Sequence, residues 1–306
     1  MHQPFGQQTT FQRIYYFPNG MIGYSLKERV GVGYYVLGSQ ANLSLDKIRI
    51  VQLNDFGDTV KLRNFCGFEG SDFAFTPDSG FVITGIASLC IPNVQFDLLV
   101  SKVDSALNQN WLYAFGDSQI DKGKRIINNS DGSYTIACYN NSYPDLLKVD
   151  SSGNIIWSRS YGLSGLYSVK HSLDGGYFIC GNAGSGFVDP MYVAKLDSMG
   201  FVIWYKTFYN SGMFIFTDIE PTPDGGVVAL CDQASLYKIS ATGDSLWKKC
   251  LSAYSRITST LDGNLIMTGA GMGMALVKAD TSRTIMWGKQ FSFYPFTQVS
   301  DMKATT

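Results

Sequence analysis

Histidine, charge and long apolar runs are all scarce in this chain of 306 residues. The two histidines, His2 and His171, leave little for mechanisms that use imidazole as base or ligand, and no Ser or Cys motif near His171 sets up a triad. Charged residues are 16% of the chain, 24 Lys+Arg against 25 Asp+Glu, a net −1. Without a positive excess, the electrostatic pull toward nucleic acid or an anionic membrane is missing. No apolar run approaches the ~18 residues a membrane helix needs. The opening MHQPFGQQTT lacks a basic segment followed by an apolar core, so the expectation is a soluble chain from which any export signal has been removed. No cysteine pair has metal-ligand spacing such as CxxC, and neither a metal nor a cofactor is expected.

What the chain does have is apolar and aromatic mass, 45% and 14% of residues, enough for a sizeable core and too much for disorder. It also repeats. An Asp-Gly phrase recurs as DSGFVITG (78–85), DGSYTIAC (131–138), DGGYFICG (174–181), DGGVVALC (224–231) and DGNLIMTG (262–269), with a weaker GVGYYVLG at 31–38. Their ends fall 38 to 53 residues apart, in the range of propeller blades.

A second phrase follows each of these: Lys102-Val-Asp104, Lys148-Val-Asp150, Lys195-Leu-Asp197, Lys238-Ile-Ser240 and Lys278-Ala-Asp280, with Gln52-Leu-Asn54 as the divergent copy. Seven residues beyond the Asp position stand Trp111, Trp157, Trp204, Trp247 and Trp287, all the tryptophans of the chain, with Lys61 in the divergent copy. Four residues further on an aromatic is usual (Phe65, Phe115, Tyr161, Phe208, Phe291), Leu251 being the exception.

Each unit therefore reads as four short strands, a to d: Asp-Gly pairs supply the positive φ of tight hairpins, and the β-branched and aromatic runs suit pleated strands. The expectation is an all-β protein forming one β-propeller domain of four-stranded antiparallel blades, with units at about 18–66, 67–116, 117–162, 163–210, 211–252 and 253–292. Residues 6–17 match a d strand and 296–305 an a strand. Counting strands favours a seven-bladed ring whose last blade is incomplete, the alternative being six blades with overhanging ends.

The phrase DGGYxxxG…KxDxxGxxxW resembles that of secreted bacterial β-propellers common in Bacteroidota, whose full chains often end in a type IX secretion sorting domain. It covers about residues 6–305. The portion Asp150-x-x-Gly153-x-x-x-Trp157 is also similar to the tryptophan-docking motif of quinoprotein-like propellers and, more distantly, to WD-repeat propellers, departing by one residue in the Asp-to-Trp spacing. The resemblance implies a secreted or cell-surface location on the extracellular side of the outer membrane, and it implies no reaction or cofactor.

The five tryptophans read most simply as inter-blade packing. Pairing c with d through a two-residue turn places Lys148 and Asp150 on the face of Ile155 and Trp157, the Lys stem beside the ring and its ammonium in water. The Asp-Gly turns read as hairpins whose Asp bonds its own backbone, since one carboxylate falls short of a calcium loop. Of the six cysteines, Cys138 and Cys231 share a b-strand position two blades apart, too far to bridge, and Cys180 is out of phase. Cys66 with Cys90 is the one disulfide pairing to test.

Strand polarity locates the binding face. The short a-b and c-d turns share one end, while the variable b-c and d-a connections share the other, and binding groups concentrate on variable loops held by a rigid scaffold. Asn93, Gln95, Tyr139, Asn140, Asn141, Tyr143, Phe187 and Asp189 are the candidate binding residues. Aromatic rings with amides suit a glycan or a surface protein partner, engaged by a monomeric domain. Glu69, Asp117, Asp121, Asp145 and Asp189 on the same face could form an acid/base pair for glycan cleavage, although a local turn role for Asp145 and Asp189 is simpler. The expected function is non-catalytic binding. A glycan-cleaving enzyme and a structural spacer module are the rivals.

Overall fold

The computed structural model describes residues 20–40, 47–87, 94, 96–116, 120–139, 145–183, 190–209, 214–232, 235–250, 256–260, 262–269, 274–280 and 284–291. Blade 1 is β1 (Ile22–Arg29), β2 (Gly33–Ser39), β3 (Lys47–Leu53) and β4 (Thr59–Cys66). Blade 2 is β5 (Glu69–Phe75), β6 (Phe81–Ile86), β7 (Leu98–Val103) and β8 (Gln109–Phe115). Blade 3 is β9 (Lys122–Asn128), β10 (Tyr134–Tyr139), β11 (Leu146–Val149) and β12 (Ile155–Arg159). Blade 4 is β13 (Gly165–His171), β14 (Tyr177–Asn182), β15 (Met191–Leu196) and β16 (Val202–Phe208). Blade 5 is β17 (Phe216–Pro221), β18 (Val227–Cys231), β19 (Ser235–Ile239) and β20 (Ser245–Cys250). Blade 6 is β21 (Arg256–Ser259), β22 (Leu265–Gly269), β23 (Met274–Ala279) and β24 (Ile285–Phe291). Each blade is one antiparallel meander in chain order.

Among the described residues the blades number six, as in the six-bladed alternative. The strands that would make the preferred seventh, 6–17 and 296–305, lie outside the described residues.

Burial explains why the second and third strands read as continuous apolar runs. They are covered on both faces, so the strand period of two divides between neighbours. Tyr177 and Ile179 of β14 pack with Trp157 and Leu146 of blade 3, while Phe178 and Cys180 pack with Phe216 and Val227 of blade 5. One such cluster fills each successive interface from blade 1 to blade 6. The outermost strands are exposed along much of their length, as in β16 and β20. The first strands lie innermost, where β5 meets β9, β9 meets β13, and β13 meets β17.

The register pairs Lys102 with Trp111, Lys148 with Trp157, Lys195 with Trp204, Lys238 with Trp247 and Lys278 with Trp287. The two-residue c-d turn is corrected. A register shift follows each Lys, setting Ile155 opposite Val149. The connection is a β-turn closed by Gly153 N–H to Asp150 O, with Gly153 at φ 88°, so the bulge turns Ile155 outward, half-exposed. Gly153 also meets the preceding blade: a methyl there would lie 2.5 Å from Tyr113 and 3.2 Å from Trp111. Trp157 covers Gly200 and Trp204 covers Gly243 in the same way. Trp157 is buried and Trp287 is 42% exposed.

Candidate functional site

The two ends of the ring differ. At the turn end the Asp of each Asp-Gly phrase binds the Lys of the same blade: Asp78 to Lys102 (2.8 Å), Asp131 to Lys148 (2.9 Å), Asp174 to Lys195 (2.6 Å), Asp224 to Lys238 (2.7 Å) and Asp262 to Lys278 (2.5 Å). This corrects the expectation of solvated ammonium groups. Lys148 and Lys238 are buried, and a buried ammonium requires an acceptor. The carboxylates also accept local hydrogen bonds, such as Ser133 N–H to Asp131 at 3.0 Å and Gly226 N–H to Asp224 at 3.0 Å.

Hydrogen bonds from Lys102 and Thr76 lower the pKa of Asp78 to about 2, and those from Lys195 and Ser172 do the same for Asp174. Burial of Asp131 and Asp224 works upward, but is outweighed by bonds from Ser133 and Lys148, and from Lys238 and Thr222, so both again fall to about 2. Between the turns of blades 4 to 6 lies a shallow, uncharged cleft of about 390 Å³, lined by Leu173, Pro221, Thr222, Pro223, Thr260 and Leu265 among others.

Around the axis the inner strands carry a charged layer four residues before each a-b turn: Ser25, Asp72, Arg125, Ser168, Asp218 and Arg256 in blades 1 to 6. It repeats every three blades, and so do its bonds. Ser25 Oγ donates to Asp72 (2.8 Å) and Ser168 Oγ to Asp218 (2.8 Å). The next blade's main chain donates to each carboxylate, Ile126 N–H at 3.1 Å and Ile257 N–H at 3.2 Å. Each Asp thus ties three inner strands together. Lys27 pairs with Asp72 at 3.0 Å, and Lys170, at the matching place, pairs with Glu220 at 3.2 Å.

One residue nearer the loop end, β1, β5, β9, β13 and β17 each carry a bulge whose extra residue is Tyr24, Ser71, Lys124, Tyr167 or Thr217. Bulges re-aim side chains at sheet rims. Here they bring Lys124 Nζ to 5.7 Å from the Tyr167 ring centroid and 5.1 Å from that of Tyr139, with the two rings 5.8 Å apart. Gly165 is needed for this approach, because a methyl there would come within 2.8 Å of the Tyr139 ring. Lys122 is ion-paired with Glu69 and lies 5.9 Å from the Tyr24 centroid. Burial above all, with the like charge of Lys122, Arg125 and Arg256 and only partial compensation from Glu69, depresses the Lys124 pKa to about 8.

Of the expected binding residues, Tyr139 stands in this cluster. Asn93, Gln95, Asn140, Asn141, Tyr143, Phe187 and Asp189 lie outside the described residues, as does Asp117. Among the described carboxylates, Asp121 and Asp97 both approach the place that a methyl on Gly116 would take, at 2.4 and 2.9 Å. Glu69 is paired with Lys122, and Asp121 is buried at the start of β9. Asp145 caps the d-a connection, accepting from Tyr161 N–H at 2.6 Å. Burial pushes its pKa up, against the main-chain bonds from Tyr161, Leu163 and Gly162. Cys66 is disulfide-bonded, Cys90 lies outside the described residues, and Cys138, Cys180, Cys231 and Cys250 are not in disulfides. His171 Nε2 lies 2.6 Å from Asn128 O.

No protein-family model matches the chain, and no curated protein is similar to it in sequence. Among solved structures it is similar to the Dos1 propeller (TM-score 0.62, 11% identity, 88% of this chain and 69% of that one). It is similar also to BBS1N in complex with ARL6DN (TM-score 0.58, 8% identity, 90% and 82%). A third is the extracellular domain of the hybrid two component system BT3049 from B. thetaiotaomicron (TM-score 0.58, 10% identity, 90% and 36%). Identities this low establish the fold and nothing narrower: the chain is a β-propeller of four-stranded antiparallel blades.

Proposed function

We propose that the chain is a non-catalytic, exported binding module whose loop end receives a protein partner at the cell surface. The observation that carries this reading is the contrast between the two ends. Five near-identical ion-paired turns occupy one end, their charges already matched by neighbours. The other gathers the long connections and the Lys124, Tyr139 and Tyr167 cluster. Pairs already satisfied within their own blade offer a partner little uncompensated charge, whereas tyrosines beside a desolvated cation are the chemistry of interface hot spots.

BBS1N, solved as a complex with ARL6DN, is a fold of this kind with a protein bound, and the BT3049 domain is extracellular. Both support the reading. Asn93, Gln95, Asn140, Asn141, Tyr143, Phe187 and Asp189 are the loop residues proposed to frame the site, and the type IX route is the proposed path of export.

The test replaces Tyr139, and separately Ser151 at the turn end, with a photo-crosslinking phenylalanine in chain expressed by its host. A protein adduct at Tyr139 and none at Ser151 is expected. Adducts at Ser151 alone would overturn the reading, and glycan-array binding lost on Tyr139→Ala would replace the protein by a glycan.

A further inference from the structure

The inner strands carry four lysines near the axis, and three of them are answered. Lys27 pairs with Asp72, Lys122 with Glu69 and Lys170 with Glu220. Lys124 Nζ has no hydrogen-bond or ion-pair partner among the described residues, and only the faces of Tyr139 and Tyr167 stand beside it. It is half-buried, and a desolvated ammonium is costly unless a counter-charge reaches it. The surrounding charge does not supply one. Lys122, Arg125 and Arg256 oppose the Lys124 charge, and Glu69, which favours it, already holds Lys122.

We propose that Lys124, between Tyr139 and Tyr167 at the loop end of the axis, is an anchor for a carboxylate side chain presented by an acidic segment of the protein partner. The proposal rests on the reading that the loop end receives that partner. A single ammonium walled by two rings matches one negative charge on a slender stem: the rings cover the apolar stem, their hydroxyls add donors, and the ammonium meets the carboxylate. A charge pair formed at such a desolvated position strengthens recognition more than one at the rim, because less solvent screens it. The groups around it are Lys122 and Arg125 on β9, Glu69 on β5, Tyr139 on β10, Tyr167 on β13 and Arg256 on β21, so the ammonium is the group whose charge binding would neutralise. Binding therefore weakens as pH rises through about 8.

The experiment titrates the full chain with an acetylated, amidated hexaglutamate peptide, and in parallel with hexagalacturonate and inorganic phosphate. Lys124→Met, Lys124→Arg and Tyr139→Ala are compared after their melting temperatures have been shown to match the wild type. Expected are peptide binding weakened at least tenfold by Lys124→Met, restored by Lys124→Arg, and lost between pH 7 and 9.5 in wild type but not in Lys124→Arg. Peptide binding unchanged by Lys124→Met overturns the proposal. If Tyr139→Ala then still abolishes binding, the loop end stands as the binding face and only the anchor fails. If neither variant matters, both fail. Lys124-dependent binding of hexagalacturonate without the peptide, or of phosphate as tightly as the peptide, overturns the acidic protein segment in favour of a uronate glycan or a phosphate.

Discussion

Substituting Asp72 by Asn tests whether the axial layer holds the blades together. The carboxylate accepts Ser25 Oγ and Phe73 N–H at 2.8 Å each on one oxygen and Ile126 N–H at 3.1 Å on the other, with Lys27 Nζ at 3.0 Å. An amide keeps the first oxygen but turns its NH₂ toward the Ile126 N–H, donor against donor, and leaves Lys27 without its counter-charge. Removing one partner of a buried ion pair costs about 3–5 kcal/mol, and the lower end, ~3 kcal/mol, applies because Lys27 keeps some contact with water. With unfolding entropy of about 2.1 cal/mol/K per residue, that lowers Tm by about 5 °C for a chain of this length. Asp218→Asn should cost less, since Asp218 bonds Ser168 and the Ile257 N–H as Asp72 bonds Ser25 and the Ile126 N–H, but the matching Lys170 is paired with Glu220 and keeps that counter-charge.

Asp150→Asn is the control. In blade 1 Asn54 already occupies the corresponding turn and accepts from Phe56 and Asp58 N–H at 3.0 and 2.8 Å, so Tm should move by less than about 1 °C. Burial works to raise the pKa of Asp72, but Lys27, Arg125 and the hydrogen bonds prevail and hold it below the usual carboxylate value. Its contribution is therefore full above about pH 4 and fades as pH falls through the lower folded-state value. The gap between wild type and Asp72→Asn, read by calorimetry, should close in acid. Equal Tm values for Asp72→Asn and Asp150→Asn, or a gap that widens below pH 4, would refute the reasoning.

Trp157→Ala should cost about 3–5 kcal/mol and Trp287→Ala much less, following their burial, as denaturant melts will show. Acid should weaken the turn end: with Asp78, Asp131, Asp174 and Asp224 drawn down to about 2, their stabilisation is present above about pH 4 and lost toward pH 2. Lys-to-Met changes in those blades should flatten that part of a Tm against pH curve. Gly165→Ala should displace the Tyr139 ring and weaken loop-end binding with little change in the far-ultraviolet spectrum.

The blade pattern was legible because its signals are local: an Asp-Gly turn, a Lys and a Trp at fixed spacing, each required by one hairpin. The c-d bulge was not, since the phrase cannot show whether Gly153 turns the chain inside or after a two-residue loop. The Lys to Asp pairing is not legible, because the two residues sit in different phrases, brought together only when the first and third strands flank the second. Tyr139 was legible as an aromatic on a variable connection. Lys124 and Tyr167 were not, for they stand on inner strands outside both repeated phrases, and only counting back from each turn aligns Ser25, Asp72, Arg125, Ser168, Asp218 and Arg256.

That alignment also bears on how many ligands a ring can take. The structural layer is kept across the two three-blade halves: Ser, Asp and Arg recur, as do Lys27 and Lys170, and Tyr24 and Tyr167. Nearer the loop end the halves diverge in sequence, with Glu69 against Ile215, Lys122 against Ala253 and Lys124 against Ser255. A layer that ties inner strands together must satisfy the same main-chain donors in both halves and so tolerates little change, whereas a recognition layer gains by being different. If Lys124 anchors the ligand, its counterpart Ser255 cannot, and titration with the acidic peptide should saturate at one per chain. Two equivalent sites would mean that the threefold spacing extends into the recognition layer and that the lysine is not what selects the carboxylate.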